Sequence, residues 1–178
     1  RLRSDVDIQF IEANVFLSQQ GASRSFKDPR HLKLGWRTYT YADTPMLRSH
    51  GWTDEEYNFV RIENCIPESG LELLEEKTYI LEAGFERLAG VDFKKGCFVG
   101  QEVTARMRHK STLKKGLVVV TIEGQKVEIG TEIFCNGTTV GTIFSQAADK
   151  AIAHLKFKFA GKELSCGKSK LYFLKTFL

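Results

Sequence analysis

Leu117-Val118-Val119-Val120-Thr121-Ile122-Glu123-Gly124, followed by Cys135-Asn136-Gly137-Thr138, decides how the second half of the chain folds. The first six residues are β-branched or aliphatic and too few for a helix between turn signals, so they read as a strand that Glu123-Gly124 turns. Asn136-Gly137 is the strongest short hairpin signal in the sequence, because both central positions of a type I′ turn need positive φ. It joins strands predicted over 131–135 and 138–145. Ala151 to Phe159 alternates apolar and polar residues, and Leu171 to Phe177 gives a fifth strand. Five short strands with tight turns predict a small closed or nearly closed antiparallel barrel. A domain boundary is therefore placed near residue 113, giving units 1–112 and 113–178.

Working back from that boundary, the texture is mixed. Val6, Ile8 and Phe10 alternate with polar residues, so 5–17 reads as extended, and Leu2-Arg3-Ser4-Asp5-Val6 is strand-like. Gly21 to Pro29 reads as a loop, Gly35 to Tyr41 as a second strand, and Asp43 to Pro45 as its break. Thr53 with Glu56 three residues on is a capping box. The helix it opens passes through Tyr57, Val60 and Arg61 and stops before Pro67. Residues 69–90 are less regular, with a short helix expected at 82–88, ended by Gly90. The fold class that results is α+β.

The 178 residues are 42% hydrophobic and 27% charged, with a mild net charge of +4 that does not by itself announce a nucleic-acid binder. Cys65, Cys97, Cys135 and Cys166 are far apart, so neither a zinc knuckle nor a C-x-x-C redox pair is indicated, and free thiols are expected. No stretch reaches the ~20 apolar residues of a membrane span, so no membrane partner is expected. The chain starts at Arg1 in strand-like text and reads as cut from something longer. His31, His50, His109 and His154 are scattered and no metal is assigned to them; His154 reads as a barrel residue, and His109 could meet an anion.

The chemistry concentrates in Lys94-Lys95-Gly96-Cys97-Phe98-Val99-Gly100-Gln101-Glu102-Val103. Gly96 and Gly100 bracket a cysteine and can take positive φ or admit a close approach. A helix is expected from Val103 to Arg108, with the Glu102 carboxylate favoured near its N-terminus. That N-terminus and the two lysines would favour the thiolate of Cys97. On residue types alone, a small buried apolar cysteine beside a glycine turn is the more ordinary reading. Between 94 and 115 seven basic residues face one acid, Glu102. Such a segment attracts an anionic ligand tail, phosphates or an acidic protein, or is simply a solvated face.

Lys95-Gly96-Cys97-Phe98-Val99-Gly100-Gln101-Glu102 resembles the K-G-C-[YF]-x-G-Q-E signature of the YgfZ-type folate-binding proteins, relatives of the aminomethyltransferase (T-protein) of the glycine cleavage system. Gly90-Val91-Asp92-Phe93-Lys94 resembles the family's lead-in, and Asp28-Pro29-Arg30 with Leu34-Gly35-Trp36-Arg37 its D-P-R … G-x-R stretch. Leu2-Arg3-Ser4-Asp5-Val6 resembles its L-R-x-x-V strand. Arg61-Ile62-Glu63-Asn64-Cys65-Ile66-Pro67 is similar to R-[LI]-E-A-G-[IM]-P, departing from it at Asn64-Cys65. Glu82-Ala83 is similar to the E/Q-A pair that precedes the signature.

The resemblance implies the C-terminal portion of a T-protein-like folate-binding core followed by the barrel, with tetrahydrofolate or a derivative as cofactor. It implies Glu63 as the main pterin contact, since a carboxylate can accept two hydrogen bonds from the pterin's amino and ring N–H groups. Arg61, Glu82, Lys95, Gly96, Gly100, Gln101 and Glu102 complete the implied cofactor-binding set, and Cys97 is the implied functional thiol. The function implied is a tetrahydrofolate-binding accessory protein in iron–sulfur cluster assembly or repair, with cluster proteins or assembly factors as partners. A folate-dependent aminomethyltransferase-like enzyme is the alternative. A third reading is weak tRNA binding through the basic 94–115 segment. A bacterial cytoplasmic location is expected, or the mitochondrial matrix in a eukaryote.

Overall fold

Three short strands form the first layer in the computed structural model, which describes residues 7, 9–41, 51–110 and 112–176. They are β1 (Ala13–Ser18), β2 (Ser25–Lys27) and β3 (Trp36–Tyr41), in the antiparallel order β1-β3-β2. Val15 lies opposite Tyr39 and Phe26 opposite Arg37. The strand expected over 5–17 thus starts at Ala13, and the expected loop at 21–29 contains β2. The strand-like text at residues 2–6, the break at 43–45 and His50 lie outside the described residues.

Asp28 anchors this layer. Its buried carboxylate accepts from Arg30 Nη2 at 2.8 Å and from Arg37 Nε at 2.7 Å, and Arg30 Nη2 also donates to Tyr57 Oη at 2.9 Å. Burial alone would raise the Asp28 pKa, but the hydrogen bonds from Arg30 and Arg37 outweigh it and hold the carboxyl down at about 2.

Tyr57 belongs to α1 (Asp54–Glu63), which begins with the expected capping box: Glu56 N donates to Thr53 Oγ1 and Thr53 N to Glu56 Oε2. The helix ends in a Schellman motif, with Ile66 N donating to Arg61 O at 2.8 Å and Cys65 N to Ile62 O at 3.0 Å. Cys65 holds the left-handed position of that motif, at φ 51°. The cysteine therefore keeps the backbone shape that glycine usually supplies.

The short helix expected at 82–88 is not formed; consecutive turns run through 80–89 instead. Gly84 at φ 76° and Ala89 at φ 57° break the helical path, and Phe85 N reaches back to Ile80 O. A second helix, α2 (Glu102–Lys110), follows the thiol-bearing loop.

The remainder is a closed antiparallel barrel of six strands: β4 (Lys115–Glu123), β5 (Glu132–Cys135), β6 (Thr138–Ala147), β7 (Lys150–Lys156), β8 (Leu164–Cys166) and β9 (Ser169–Thr176), ordered β4-β7-β6-β5-β8-β9. Asn136 and Gly137 take φ of 48° and 74° between the paired Cys135 and Thr138, as a type I′ hairpin requires. The sixth strand is β8, too short at three residues to signal itself. The predicted strand 151–159 ends at Lys156 and passes into a 3₁₀ turn, Phe157–Phe159.

β4 is buried on both faces, which accounts for its unbroken apolar text. Val118 and Val120 point into the barrel with Ile133, Ile143, Leu155 and Leu171. Leu117 and Val119 point outward and pack with Ile62, Cys65 and Ala83. Removing such area from water contributes roughly 25 cal/mol per Å², so the barrel wall is also the floor on which α1 and the 65–85 segment rest.

Candidate functional site

The loop between the 80–89 turns and α2 is held by its own polar side chains. Lys95 Nζ donates to Gln101 Oε1 at 2.9 Å, and Phe98 N donates to the same oxygen at 3.4 Å. Gly100 N donates to both Glu102 oxygens, at 3.1 and 2.9 Å. The backbone N–H groups of Glu102 itself and of Gly100 hold that carboxyl below the usual range. Gly96 and Gly100 sit at φ 89° and 93°, where L side chains are strained. Lys95, Gly96, Gly100, Gln101 and Glu102 therefore converge, and what they shape is the setting of Cys97.

Cys97 is exposed, whereas Cys65, Cys135 and Cys166 are buried. Burial pushes the Cys65 thiol up to about 12 and that of Cys166 to about 11. Cys97 borders a hollow of about 170 Å³ whose other walls include Ile80, Val91, Phe93, Gln101 and Thr104. Phe98, Val99 and Val103 stand exposed beside it, and Lys95 Nζ lies 4.7 Å from the Phe98 ring centroid. On α2, Arg108 pairs with Glu86 at 3.0 Å. The site thus presents one accessible thiol with a positive and apolar surround, suited to a soft metal or electrophile carried by a second molecule.

The other expected ligand residues lie elsewhere. Arg61 is buried: Nη1 donates to Glu72 Oε2 at 3.2 Å and Nη2 to Ser145 Oγ at 2.8 Å, and Nε lies 3.2 Å from Glu68. Its donors are turned into the fold. Glu63, at the end of α1, accepts from Lys150 Nζ at 2.6 Å, with Lys33 Nζ at 3.8 Å. The Lys150 hydrogen bond leads the effects that keep its carboxyl below the usual range. Glu82 Oε2 meets His154 Nε2 at 2.9 Å and Lys115 Nζ at 3.5 Å, beside a different hollow. His154 is a barrel residue as expected, but its pairing with Glu82 was not foreseen.

Sequence reasoning also missed Glu72, Ser145 and Lys150, the partners that fix Arg61 and Glu63. They are 11 to 87 residues away from those partners, and no local pattern marks them. Among the described residues no group of three or more His, Cys, Asp or Glu side chains is placed to hold a metal. No helix among them is long and apolar enough to cross a membrane.

Fold and site together define an α+β chain in which a small closed barrel supports a loop bearing one exposed cysteine. Residues 114–176 match the family described as CAF17, C-terminal beta-barrel domain. The chain is also similar to proteins named iron–sulfur cluster assembly factor IBA57, mitochondrial. The mouse protein is 36% identical over 107 residues, covering 59% of this chain and 30% of the relative. The human protein is 32% identical over 122 residues, covering 65% and 34%. A homologue in Chaetomium globosum is 31% identical over 156 residues, covering 78% and 35%. The chain spans about a third of the length of these curated relatives. At the coarse level of iron–sulfur cluster assembly factors carrying this barrel, the sequence resemblance and these relatives agree.

Proposed function

We propose that the protein serves iron–sulfur cluster assembly or repair, with Cys97 as its functional thiol, in mitochondria as the names of its relatives state for them. The supporting observation is the contrast among the four cysteines: three are buried, and the fourth is exposed on a loop whose polar residues are spent on shaping it. A cluster would be cargo here. Cys97 offers one accessible thiol for cluster contact, for redox chemistry or for docking a partner, and the partners are cluster proteins or assembly factors.

The finer assignment to the YgfZ type carries tetrahydrofolate with it. The paired acceptor oxygens of the Glu63 carboxylate suit the N–H edge of a pterin, and titrating the complete protein with tetrahydrofolate, against Glu63→Ala, tests that contact. The described residues alone do not fit the whole ligand. The implied set does not gather in one place: Arg61 borders an open hollow of about 520 Å³ with Lys126 and Glu128 but spends its donors on Glu72 and Ser145, Glu63 is held by Lys150, and the hollows beside Glu82 and Lys95 are separate, about 160 and 170 Å³.

The decisive experiment is complementation. Cys97→Ser is expected to fold with unchanged thermal unfolding and yet fail to restore cluster-dependent enzymes in a strain lacking the protein. Full restoration by the serine variant rejects the thiol role.

A further inference from the structure

The turn at 79–83 separates two hollows. Ile80 faces the Cys97 side, while Tyr79, Glu82 and Ala83 face the barrel wall. The second hollow has a volume of about 160 Å³, close to the ~150 Å³ of an engineered apolar cavity that takes benzene. Its floor is apolar, made by Leu74, Ala83, Leu117 and Phe144, and its polar rim includes Lys77, Tyr79, Thr142, Glu82 and His154.

Charge at the rim decides what fits. Glu82 is already matched, since its Oε2 takes both His154 Nε2 and Lys115 Nζ. The other rim carboxylate, Glu72, faces inward to Arg61 and to the backbone N–H groups of Glu68 and Ser145. Lys77 and Tyr79 are exposed and Thr142 is half-buried, and among the described residues Lys77 has no ion pair and the two hydroxyls no side-chain hydrogen bond. The surplus is therefore one cation and two hydroxyl donors over an apolar floor.

The hollow is also built into the fold. Leu117 N donates to Glu82 O at 2.8 Å, and a Cβ on Gly116 would come within 2.8 Å of that same oxygen. The turn is thereby strapped directly to β4, which fixes the distance between rim and floor.

We propose that this hollow is a binding site for a small organic monocarboxylate with a short apolar body of about five or six carbons. The apolar body lies on Leu117 and Phe144, and the carboxylate meets Lys77 with Thr142 or Tyr79. The site is independent of Cys97 and of the cluster reading.

The test uses the full chain, isotopically labelled, titrated with pentanoate, pentanamide and pentylamine and followed by NMR at Ala83, Leu117 and Phe144. Pentanoate is expected to shift these signals with a Kd on the order of 1 mM, the amide about tenfold weaker, and the amine not at all. Lys77→Gln, an exposed change, is expected to weaken pentanoate about tenfold while leaving the unliganded spectrum in place. Thr142→Val is a second variant, expected to weaken pentanoate and pentanamide alike, since both present an oxygen to the hydroxyl. No shift with any probe overturns the site. Equal affinity for carboxylate and amide, or undiminished binding by Lys77→Gln, overturns the anion assignment. Cys97→Ser should bind pentanoate like the parent chain, so failure here and failure of the cluster reading are distinguishable.

Discussion

Arg61 Nη2 donates to Ser145 Oγ at 2.8 Å, joining the last turn of α1 to a barrel strand 84 residues later. Ser145 lies where β6 slips register against β7, between Ile143 and Gln146. A bulge of this kind leaves a backbone N–H without its ladder partner. Here Glu72 Oε1 accepts from Ser145 N at 3.2 Å, while Glu72 Oε2 takes Arg61 Nη1. One buried carboxylate thus satisfies both the bulge and the guanidinium.

Breaking this network should be costly. Arg61→Met leaves Glu72 buried without its cation, and a loss of about 3–5 kcal/mol is expected in urea unfolding. Ser145→Ala removes one charge-assisted bond, with an expected loss of about 1.5–3 kcal/mol. A loss for Arg61→Met within experimental error of zero would show that the network does not hold α1 to the barrel.

Asp28 should govern the acid limb of stability. Its folded pKa, about 2, is below the ordinary 3.8, so its contribution is complete above about pH 4 and is lost as pH falls through about 2. The shift corresponds to about 2 kcal/mol at neutral pH. Asp28→Asn should lose about that much at pH 7 and show a shallower fall between pH 4 and 2. An unchanged acid profile in the variant would contradict the assignment.

Thiol counting gives a direct check on the site. In the native protein one cysteine of four should react rapidly with a disulfide reagent, and all four after denaturation. Cys97→Ser should remove the native reaction entirely. Rapid modification of Cys65 in the folded chain would mean that its burial is wrong.

Glycine contacts make a further prediction for the barrel. A Cβ on Gly141 would run into the backbone oxygen of His154 on the paired strand, whereas Gly137 has open space but φ 74°. Gly141→Ala should therefore cost about 1–3 kcal/mol by overpacking, and Gly137→Ala about 1 kcal/mol by backbone strain. Comparable thermal midpoints for Gly141→Ala and the parent would show that β6 and β7 can separate there.

The barrel was legible because its strands announce themselves locally: the apolar run of β4, the Asn136-Gly137 hairpin and the alternation of β7. β8 escaped because Leu164-Ser165-Cys166 is too short to show a period, and its role is set by the strands on either side. The expected helix at 82–88 failed because Gly84 within it and Ala89 just after it take positive φ and turn the chain back on itself. At the site, the loop motif could be read because its partners are six residues apart or fewer. Arg61 and Glu63 could not be placed, since Glu72, Ser145 and Lys150, which hold them, lie 11 to 87 residues away and carry no local signal.

Val119 and Leu117 look away from the barrel interior, and with Ile152 and Phe144 they meet Ile62, Cys65 and Ala83. Cutting the chain near residue 113 would uncover that apolar strip, so an isolated 113–178 fragment is expected to self-associate or to need detergent. The strand that opens the barrel is in this sense owned by both halves, and insertions or fusions should be tolerated in the outer loops well before they are tolerated at this seam.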